Sequence, residues 1–370
     1  MHDVIVVGAR VAGSPTAMLL ARRGYRVLVV DRDSFPSDIM STHFIQLPGV
    51  ARLQNWGLLD LLWDAGTPKI EKVTVYLDGQ AFNPPKPIAD APPACAPRRI
   101  VLDRLLVRAA VDAGAELREN FSVRELIFEG DRVAGIRGAA KGGGVIEERA
   151  QLVIGADGLH SLVARQVKPH AYDTVPSLTF AYYSYFSALE IEGAVLHPLD
   201  DGGLLIFPTN NGMACIAAGG PAEGFHAFRE DIEGNFFRFI DRAPDLAPRI
   251  RAAKREERFM GTNDQPNYFR RPYGPGWALV GDAGYHRDFI TGHGINDAFR
   301  DAELVSEAAD AWLSGRQPFE EAMGAYEATR NRLAKPIYDV TLKMARGEAD
   351  PTAFLAIGPA LQAQMPERAG

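Results

Sequence analysis

Hydrophobic and polar positions change period several times along the chain, which predicts a protein of mixed helices and strands. The apolar run at residues 4–7 indicates a buried strand, residues 15–23 have helical spacing and end before Gly24, and residues 27–30 indicate a second buried strand. Strand, glycine turn, helix and strand in this order predict a βαβ unit with parallel strands. The first thirty residues therefore belong to an α/β domain.

The pattern farther along predicts a second region that is richer in β structure. Residues 175–220 contain short apolar strands with many aromatic side chains, as expected of a β-sheet. One long helix over residues 225–240 is predicted to pack on this sheet. Other predicted helices are at 48–56, 58–63, 102–113, 292–312 and 318–346. Other predicted strands are at 73–77 and 277–280, and a meander over 116–154 is predicted to end in a return strand at 152–154. Residues 79–97 are predicted to form a proline-rich extended connection, and the chain is predicted to be less regular from residue 350.

The first glycine turn has the residues of a dinucleotide-binding fingerprint. Gly8 permits a sharp turn after the strand, and Gly13 allows helix and strand to pack closely. The helix start offers free N–H groups to a pyrophosphate, and Asp31 is placed to bind a ribose. Arg10 replaces the usual middle glycine, and its guanidinium can donate hydrogen bonds to the phosphates. An ordinary α/β turn without a ligand is the alternative interpretation.

Two further glycine motifs follow predicted strands. Residues 155–161 read Gly-Ala-Asp-Gly-Leu-His-Ser and lie at the carboxyl end of a strand, where open α/β sheets bind ligands. Gly281 and Asp282 also follow a strand, and Gly292 and Gly294 precede a long helix. A helix start of this kind favours nearby negative charge by about 0.3–1 kcal/mol. The sequence therefore predicts a second position that attracts anions.

Composition excludes several classes of protein. The 370 residues include 40 basic and 47 acidic residues, a formal net charge of −7, without a basic stripe, so nucleic acid is not an expected partner. Cys95 and Cys215 lack metal-binding or disulfide-type spacing, so we expect no metal site and a cytoplasmic location. No uncharged apolar run reaches about eighteen residues, and no export signal is present, so no transmembrane segment is expected.

The order of the three motifs resembles that of the FAD-dependent monooxygenase superfamily typified by para-hydroxybenzoate hydroxylase. Geranylgeranyl reductases and flavin-dependent halogenases are related members. The resemblance rests on the N-terminal fingerprint, on Gly-Ala-Asp-Gly-x-x-Ser, and on Gly-Asp-Ala-Gly followed by Gly-x-Gly-Ile-Asn, and it spans about residues 1–315. It implies an α/β fold in which a Rossmann-like FAD-binding domain of the glutathione reductase type is interleaved with a mainly antiparallel β-sheet substrate domain.

The resemblance and the changes in composition also predict domain boundaries. Both main domains are expected to be discontinuous in sequence. The predicted ranges are 1–72, 98–170 and 271–315 for the FAD-binding domain, 73–97 and 171–270 for the substrate domain, and 316–370 for a C-terminal helical segment.

The resemblance implies a set of cofactor-binding residues. FAD is expected to bind tightly without a covalent bond, and NADPH or NADH is expected to bind transiently near Asp157 and Arg165. Asp282 matches the aspartate that binds the ribityl chain, and Phe289 stands where relatives have a proline beside the flavin. The expected cofactor-binding residues are Gly8, Arg10, Val11, Ala12, Gly13, Asp31, Arg32, Arg99, Asp157, Gly158, Gly281, Asp282, Gly292, Gly294, Ile295 and Asn296.

Several functions are compatible with this resemblance. The leading hypothesis is an NAD(P)H-consuming FAD monooxygenase that is a monomer or a homodimer. It would use dioxygen and a flavin C4a-hydroperoxide to hydroxylate or epoxidise an apolar, aromatic or polycyclic small molecule. A flavin-dependent reductase of prenyl double bonds is the first alternative, because residues 203–208 and 288–295 are similar to that branch. A halogenase is disfavoured because residues 204–208 lack the Trp-x-Trp-x-Ile-Pro signature. Three nucleotide-type motifs in one chain disfavour a non-enzymatic flavoprotein.

Six side chains are candidates for the substrate or flavin face, and each also has a simpler interpretation. Loop histidines are more often solvated or structural than catalytic. Tyr183 shares one face of a strand with Tyr185, so the two line a pocket or fill a core. Asp288 is either a general base or a hinge residue. The six candidates are His43, Tyr183, Phe207, His286, Asp288 and Phe289.

Overall fold

A computed structural model describes residues 1–77, 80–349 and 357–367 of the chain. It has the mixed α/β architecture that the sequence predicts, so the expected fold class is confirmed. Parts of the predicted connection over 79–97 and of the predicted irregular end from residue 350 lie outside the described residues. The helices are α1 Gly13–Arg22, α2 Leu47–Asn55, α3 Leu59–Asp64, α4 Arg99–Asp112, α5 Leu162–Val167, α6 Phe225–Glu230, α7 Ile232–Asp241, α8 Ala247–Ala252, α9 Gly294–Leu313, α10 Phe319–Ala345 and α11 Gly358–Ala363.

The strands form two large sheets and two small ones. They are β1 His2–Val7, β2 Val27–Val30, β3 Lys69–Ile70, β4 Val73–Leu77, β5 Gln80–Phe82, β6 Ala94–Cys95, β7 Glu116–Arg118, β8 Phe121–Glu129, β9 Arg132–Ala140, β10 Val145–Gly155, β11 Ala171–Val175, β12 Thr179–Ser187, β13 Ala194–Leu199, β14 Gly202–Thr209, β15 Met213–Pro221, β16 Lys254–Arg255, β17 Met260–Thr262, β18 Asn267–Arg270, β19 Tyr273–Gly274, β20 Trp277–Leu279 and β21 Tyr285–His286.

The first large sheet contains the N-terminal βαβ unit. Its strand order is β19-β20-β10-β1-β2-β7, and β1 pairs in parallel with both β10 and β2. Val4 and Val6 pack against helices α1, α4 and α9 on one face, whereas Ile5 and Val7 pack against β8, β9 and α5 on the other. Both faces are covered, which explains why β1 is a continuous apolar run rather than an alternating one.

Strand β10 belongs to two pairings at once. Its first half, residues 145–149, pairs antiparallel with β9, and residues 150–155 pair in parallel with β1. The last strand of the predicted meander and the return strand are therefore one continuous strand. The amide of Ala156, directly after β10, donates to the carbonyl of Val7 over 2.8 Å. This bond places the second motif beside the first.

The second large sheet has the order β16-β12-β15-β14-β13-β4-β5, with β17 also paired to β12. Its pairings are antiparallel except for the parallel pair β13 and β4. On one face, Phe180, Tyr182 and Phe186 belong to a core formed with helices α6, α7 and α8. The period of two in the strands turns the alternate residues to the opposite face, which lines the cavity described below.

The C-terminal helices pack behind the first sheet. Helix α9 contacts α1 and α10. Helix α10 also contributes Tyr338 to a small core with Phe269 and Tyr285 of the sheet β11-β18-β21. Within the described residues, no helix combines the length and the apolar composition needed to cross a membrane.

The prediction of one helix over residues 225–240 is wrong, because the chain breaks it at Asp231. This residue has φ −145° and ψ 78°, and its carboxylate accepts a hydrogen bond from the amide of Gly234 over 3.0 Å. An aspartate that caps the next helix in this way competes with helix continuation. Phe228 of α6 and Phe236 of α7 still pack on the same core.

Candidate functional site

A cavity of about 1900 Å³ is lined by residues of both large sheets, and the three glycine motifs meet at its wall. Gly8 has φ +101°, and a Cβ at this position would lie 2.5 Å from the carbonyl oxygen of Ala156. The amide of Val280 donates to the carbonyl of Gly155 over 3.0 Å. The predicted site residues at the wall are Gly8, Arg10, Val11, Ala12, Asp31, Arg32, Arg99, Asp157, Gly158, Tyr183, Phe207, Asp282, His286, Asp288, Phe289, Gly294 and Ile295.

Five predicted site residues lie behind this wall rather than in it: Gly13, His43, Gly281, Gly292 and Asn296. A Cβ on Gly13 would lie 1.8 Å from the carbonyl oxygen of Gly8, so this glycine supports the turn from behind. The side-chain oxygen of Asn296 accepts from the amide of Gly49 over 2.9 Å. Asn296 thus joins the start of α9 to α2.

Two helix starts face the cavity without a side-chain cap. Ala12 precedes α1, whose first turn has no acidic residue, and His293 precedes α9. Among the described residues, the amides of Arg10, Val11 and Ala12 donate to no protein acceptor. Unpaired N–H groups at a helix start form a binding site for phosphate or another anion. These positions therefore fit the phosphates of a dinucleotide.

Two acidic residues at the wall fit the hydroxyl groups of such a ligand. Asp31 accepts hydrogen bonds from the amides of Ala9 and Asp33, over 2.7 and 2.9 Å, and burial raises its pKa. The carboxylate of Asp282 accepts no hydrogen bond from the described residues, and burial raises its pKa as well. A carboxylate without a protein donor is a suitable acceptor for sugar or ribityl hydroxyl groups.

Asp103, which was not among the predicted site residues, binds two arginines of the cavity wall from behind. Its carboxylate is fully buried and accepts hydrogen bonds from Nη1 of Arg10 and from Nε and Nη2 of Arg99. Nη2 of Arg10 also donates to Asp33 and Ser37. The i, i+4 spacing of Arg99 and Asp103 on α4 was a visible signal for the first pair. The contact to Arg10 has no local signal.

Asp157 has a structural function in the second motif. Its carboxylate accepts from the hydroxyl of Ser161 over 2.5 Å and from the amide of Leu162 over 2.7 Å. Ser161 in turn accepts from the amide of Ala164. Both side chains therefore cap α5, which follows the turn at Gly158. Asp157 still reaches the cavity wall.

His43 lies in a closed contact with the second sheet. Its Nε2 accepts from the hydroxyl of Tyr185 at 3.0 Å, and its Nδ1 faces the carbonyl of Ala96 at 3.2 Å. Burial lowers the pKa of His43 to about 3, so the ring is neutral near pH 7. The edge of its ring packs against Phe207. This histidine fastens the loop before α2 to the sheet.

Asp288 connects the loop before α9 to the second large sheet, next to the cavity. Its carboxylate accepts from the hydroxyl of Thr179 over 2.7 Å and from the amide of Ile290 over 3.0 Å. The second bond caps the short turn that contains Phe289. Burial raises the pKa of Asp288. His286, on β21, directs Nδ1 towards the carbonyl of Pro266.

A buried ion network lies under the first turn of α9. Asp297 would place a negative charge at this helix start, but it binds Nη2 of Arg287 and Nη1 of Arg300 over 2.6 and 2.7 Å. Arg300 also binds the fully buried Asp301. The two arginines balance the two aspartates, so α9 keeps its preference for an anion at its start.

Comparisons with known proteins agree with this geometry. Residues 1–217 match the family described as "FAD binding domain". A digeranylgeranylglycerophospholipid reductase from Methanosarcina acetivorans is 27% identical over 343 residues, which are 88% of this chain and 80% of that protein.

Two solved structures share the fold. The myxobacterial chondrochloren halogenase CndH superposes with a TM-score of 0.84 at 24% identity, over 91% of this chain and 81% of that one. PqsL from Pseudomonas aeruginosa, a probable FAD-dependent monooxygenase, superposes with a TM-score of 0.81 at 22% identity, over 96% and 99%.

These likenesses confirm the superfamily that the three motifs indicate. The match to the family covers more than half of the chain, and both the relative and the structural neighbours span most of it. The chain therefore belongs to the family of FAD-binding domains, and the protein is a flavin-dependent oxidoreductase.

Proposed function

We propose that the protein is an NAD(P)H-consuming FAD monooxygenase that hydroxylates or epoxidises an apolar small molecule. The observation that carries the proposal is the apolar sheet wall of the cavity, formed by Leu196, Leu205, Phe207 and Ala217, with Phe289 in the loop before α9. Transfer of an oxygen atom needs a site from which water is excluded. An apolar and aromatic wall provides such a site.

The residues of the chain would hold the cofactor at defined places. The start of α1 and Asp31 would bind the ADP half, and Asp282 would bind the ribityl hydroxyls. The start of α9 would stabilise negative charge on the reduced ring, because helix N-termini attract anions. When bound, FAD supplies the redox and oxygen chemistry, whereas the protein supplies position and electrostatics.

The state of the polar groups near the sheet wall also supports oxygen transfer. Burial raises the pKa of Tyr183 to about 12, so this phenol gives up its proton poorly near neutral pH. Asp288 is held by Thr179, and His43 is neutral and bonded to Tyr185. Reduction of a double bond needs a proton donor with a pKa near the working pH. Neither Tyr183 nor His43 is such a donor.

The nicotinamide cofactor is proposed to bind transiently at the edge of the cavity near Asp157 and Arg165. Arg165 and His160 line this edge and are exposed. Asp157 would act through the helix cap that positions Arg165, because its carboxylate is bonded within α5 and the preceding turn.

A reductase of prenyl double bonds is the second candidate. The specific observation in its favour is the relative from Methanosarcina acetivorans, whose name is that of a reductase and whose match extends over 88% of this chain. The apolar cavity would also accept a prenyl chain. The two candidates differ in their need for dioxygen.

The test supplies labelled dioxygen with NADPH or NADH and, in separate reactions, naphthol or geranylgeraniol. The expected result is a product that contains one labelled oxygen atom, and no product without oxygen. A saturated product that forms equally well without oxygen would assign the protein to the reductase class instead.

A further inference from the structure

We propose that Tyr183 recognises the polar end of the substrate and that a row of apolar side chains across the second sheet holds its hydrocarbon body. The proposal rests on the proposed function, because it concerns the same cavity. It assigns the substrate to a chemical class: an uncharged, largely hydrocarbon molecule with one hydrogen-bond acceptor oxygen, such as a ketone, an alcohol or a phenol.

The row follows from the register of five strands. Tyr183 of β12 is opposite Ala217 of β15, which is opposite Leu205 of β14. Leu205 is opposite Leu196 of β13, and Leu196 is opposite Val75 of β4. All five residues line the cavity. With a strand spacing of about 4.8 Å, the row is about 19 Å long.

The row is covered at the end formed by Val75, and packed side chains border it on one side. Val75 has no exposed surface, so the far end is covered. The neighbouring row on the same face, Tyr185, Cys215 and Phe207, is 1–2% exposed and already packed. On the other side, Ala181, Gly219 and Gly203 also line the cavity and have small or no side chains. An elongated hydrocarbon can therefore lie along the row beside the aromatic residues.

Tyr183 has a proton to donate. The amide of Ser41 donates to its oxygen over 3.1 Å, which uses an acceptor position of the hydroxyl. Among the described residues, its own O–H faces the sulfur of Met260 at 4.0 Å, which is a long contact to a thioether, a weak hydrogen-bond acceptor. A hydroxyl carries one donor and two acceptor positions, so the donor is available to a ligand.

The charges around the row favour a neutral acceptor over a phosphate. None of the five side chains of the row is charged near pH 7. The guanidinium of Arg98 stacks on Tyr185 at 3.8 Å, but it forms ion pairs with Asp38 and with Glu257. Its charge is therefore balanced within the protein. An anionic head group would have to displace one of these carboxylates.

The test measures binding of two matched probes to the FAD-loaded protein by calorimetry, without NAD(P)H. The probes are methyl nonyl ketone and undecane, which have the same number of carbon atoms and differ in one oxygen. Tyr183→Phe is expected to weaken binding of the ketone about tenfold, or about 1.4 kcal/mol, because the hydrogen bond is lost. Binding of undecane should stay unchanged.

Two further variants complete the experiment. Tyr182→Phe is the matched control, because Tyr182 is the neighbouring tyrosine on the opposite face, packed against Phe228, and it should affect neither probe. Ala217→Phe places a large side chain at the second position of the row and should weaken both probes about tenfold, because the phenyl group occupies the space of the hydrocarbon.

Three outcomes would overturn the proposal: equal loss of both probes in Tyr183→Phe, no loss of the ketone in that variant, or tighter binding of dodecyl phosphate than of the ketone by the unchanged protein. The experiment involves no turnover. Failure of the oxygen-labelling test would therefore not contradict the binding result. Failure of the binding test would likewise not contradict oxygen transfer.

Discussion

Nη1 of Arg10 lies 2.6 Å from a carboxylate oxygen of Asp103, although the two residues are 93 positions apart in sequence. The same carboxylate binds Arg99, so one buried acid orients two arginines at the cavity wall. Arg10, which stands at the usual glycine position of the fingerprint, is thereby held in place by the carboxylate of Asp103. A phosphate bound at this turn would share Arg10 with Asp103 and Asp33.

Asp103→Asn is expected to destabilise the protein by about 3–5 kcal/mol, because it leaves the buried guanidinium of Arg99 without its charge partner and removes one of the two carboxylates that bind Arg10. Denaturant unfolding measures this loss. The matched control is Asp112→Asn on the same helix, where Arg108 and Asp112 form an exposed pair with the same spacing. Exposed pairs contribute little. A similar effect of both substitutions would contradict this account of Asp103.

Asp31→Ala is expected to weaken FAD binding about tenfold. The substitution removes the proposed ribose acceptor and leaves the amides of Ala9 and Asp33 without their partner, a loss of about 1–3 kcal/mol. Titration of the apoprotein with FAD, followed by flavin fluorescence, measures the dissociation constant. Asp131→Ala, in an exposed hairpin turn, serves as the control. Unchanged FAD affinity in Asp31→Ala would remove this residue from the site.

Phe289→Ala is expected to raise the share of NAD(P)H oxidation that ends as hydrogen peroxide. Phe289 lines the cavity in the loop before α9, and its loss would admit water to the site of oxygen transfer. The ratio of peroxide formed to NAD(P)H consumed measures the effect. Phe128→Ala removes a phenyl group that is 47% exposed on β8 and should leave the ratio unchanged. An equal ratio in both variants would exclude Phe289 from the water-excluding wall.

The deep burial of His43 and of His293 predicts a loss of stability in acid. Burial lowers the pKa of His43 and of His293 to about 3, below the value of 6.5 of an exposed histidine. Between these values the unfolded chain binds more protons than the folded one, so stability falls as the pH falls through this window. Each histidine contributes up to about 1.4 kcal/mol per pH unit.

His43→Gln should therefore reduce the slope of the unfolding free energy against pH below 6.5 by about 1.4 kcal/mol per pH unit, which corresponds to one bound proton. Denaturant unfolding at several pH values measures this slope. His226→Gln, at an exposed position of α6, should leave it unchanged. An unaltered slope in His43→Gln would show that folding does not lower the pKa of this histidine.

The sequence predicts that the glycine motifs lie side by side, but it predicts poorly which side chains the site residues contact. Strand ends of a parallel sheet lie at one edge, so the contact between Gly8 and Ala156 follows from the pattern alone. The contact between His43 and Tyr185 joins residues 142 positions apart and has no local signal. Helical spacing also failed at Asp231, where a side-chain cap outweighs the apolar pattern.

The row that begins at Tyr183 could not be derived from sequence for a related reason. Alternation shows which residues of one strand share a face, but the row depends on which strands are neighbours and on their register. Leu196 is opposite Val75, more than a hundred residues earlier, through a parallel pairing in an otherwise antiparallel sheet. Such a pairing is set by the whole fold rather than by any short segment.

Strand β10, which pairs with β9 along its first half and with β1 along its second, has a consequence for how the protein opens. No loop separates Arg149 from Ala150, so the meander has no hinge at this junction about which it could swing away from the first sheet. Amide hydrogens of β9 and of β1 should therefore exchange with solvent through one shared opening event. Any partial unfolding that exposes the meander would also release the strand that supports the first glycine turn.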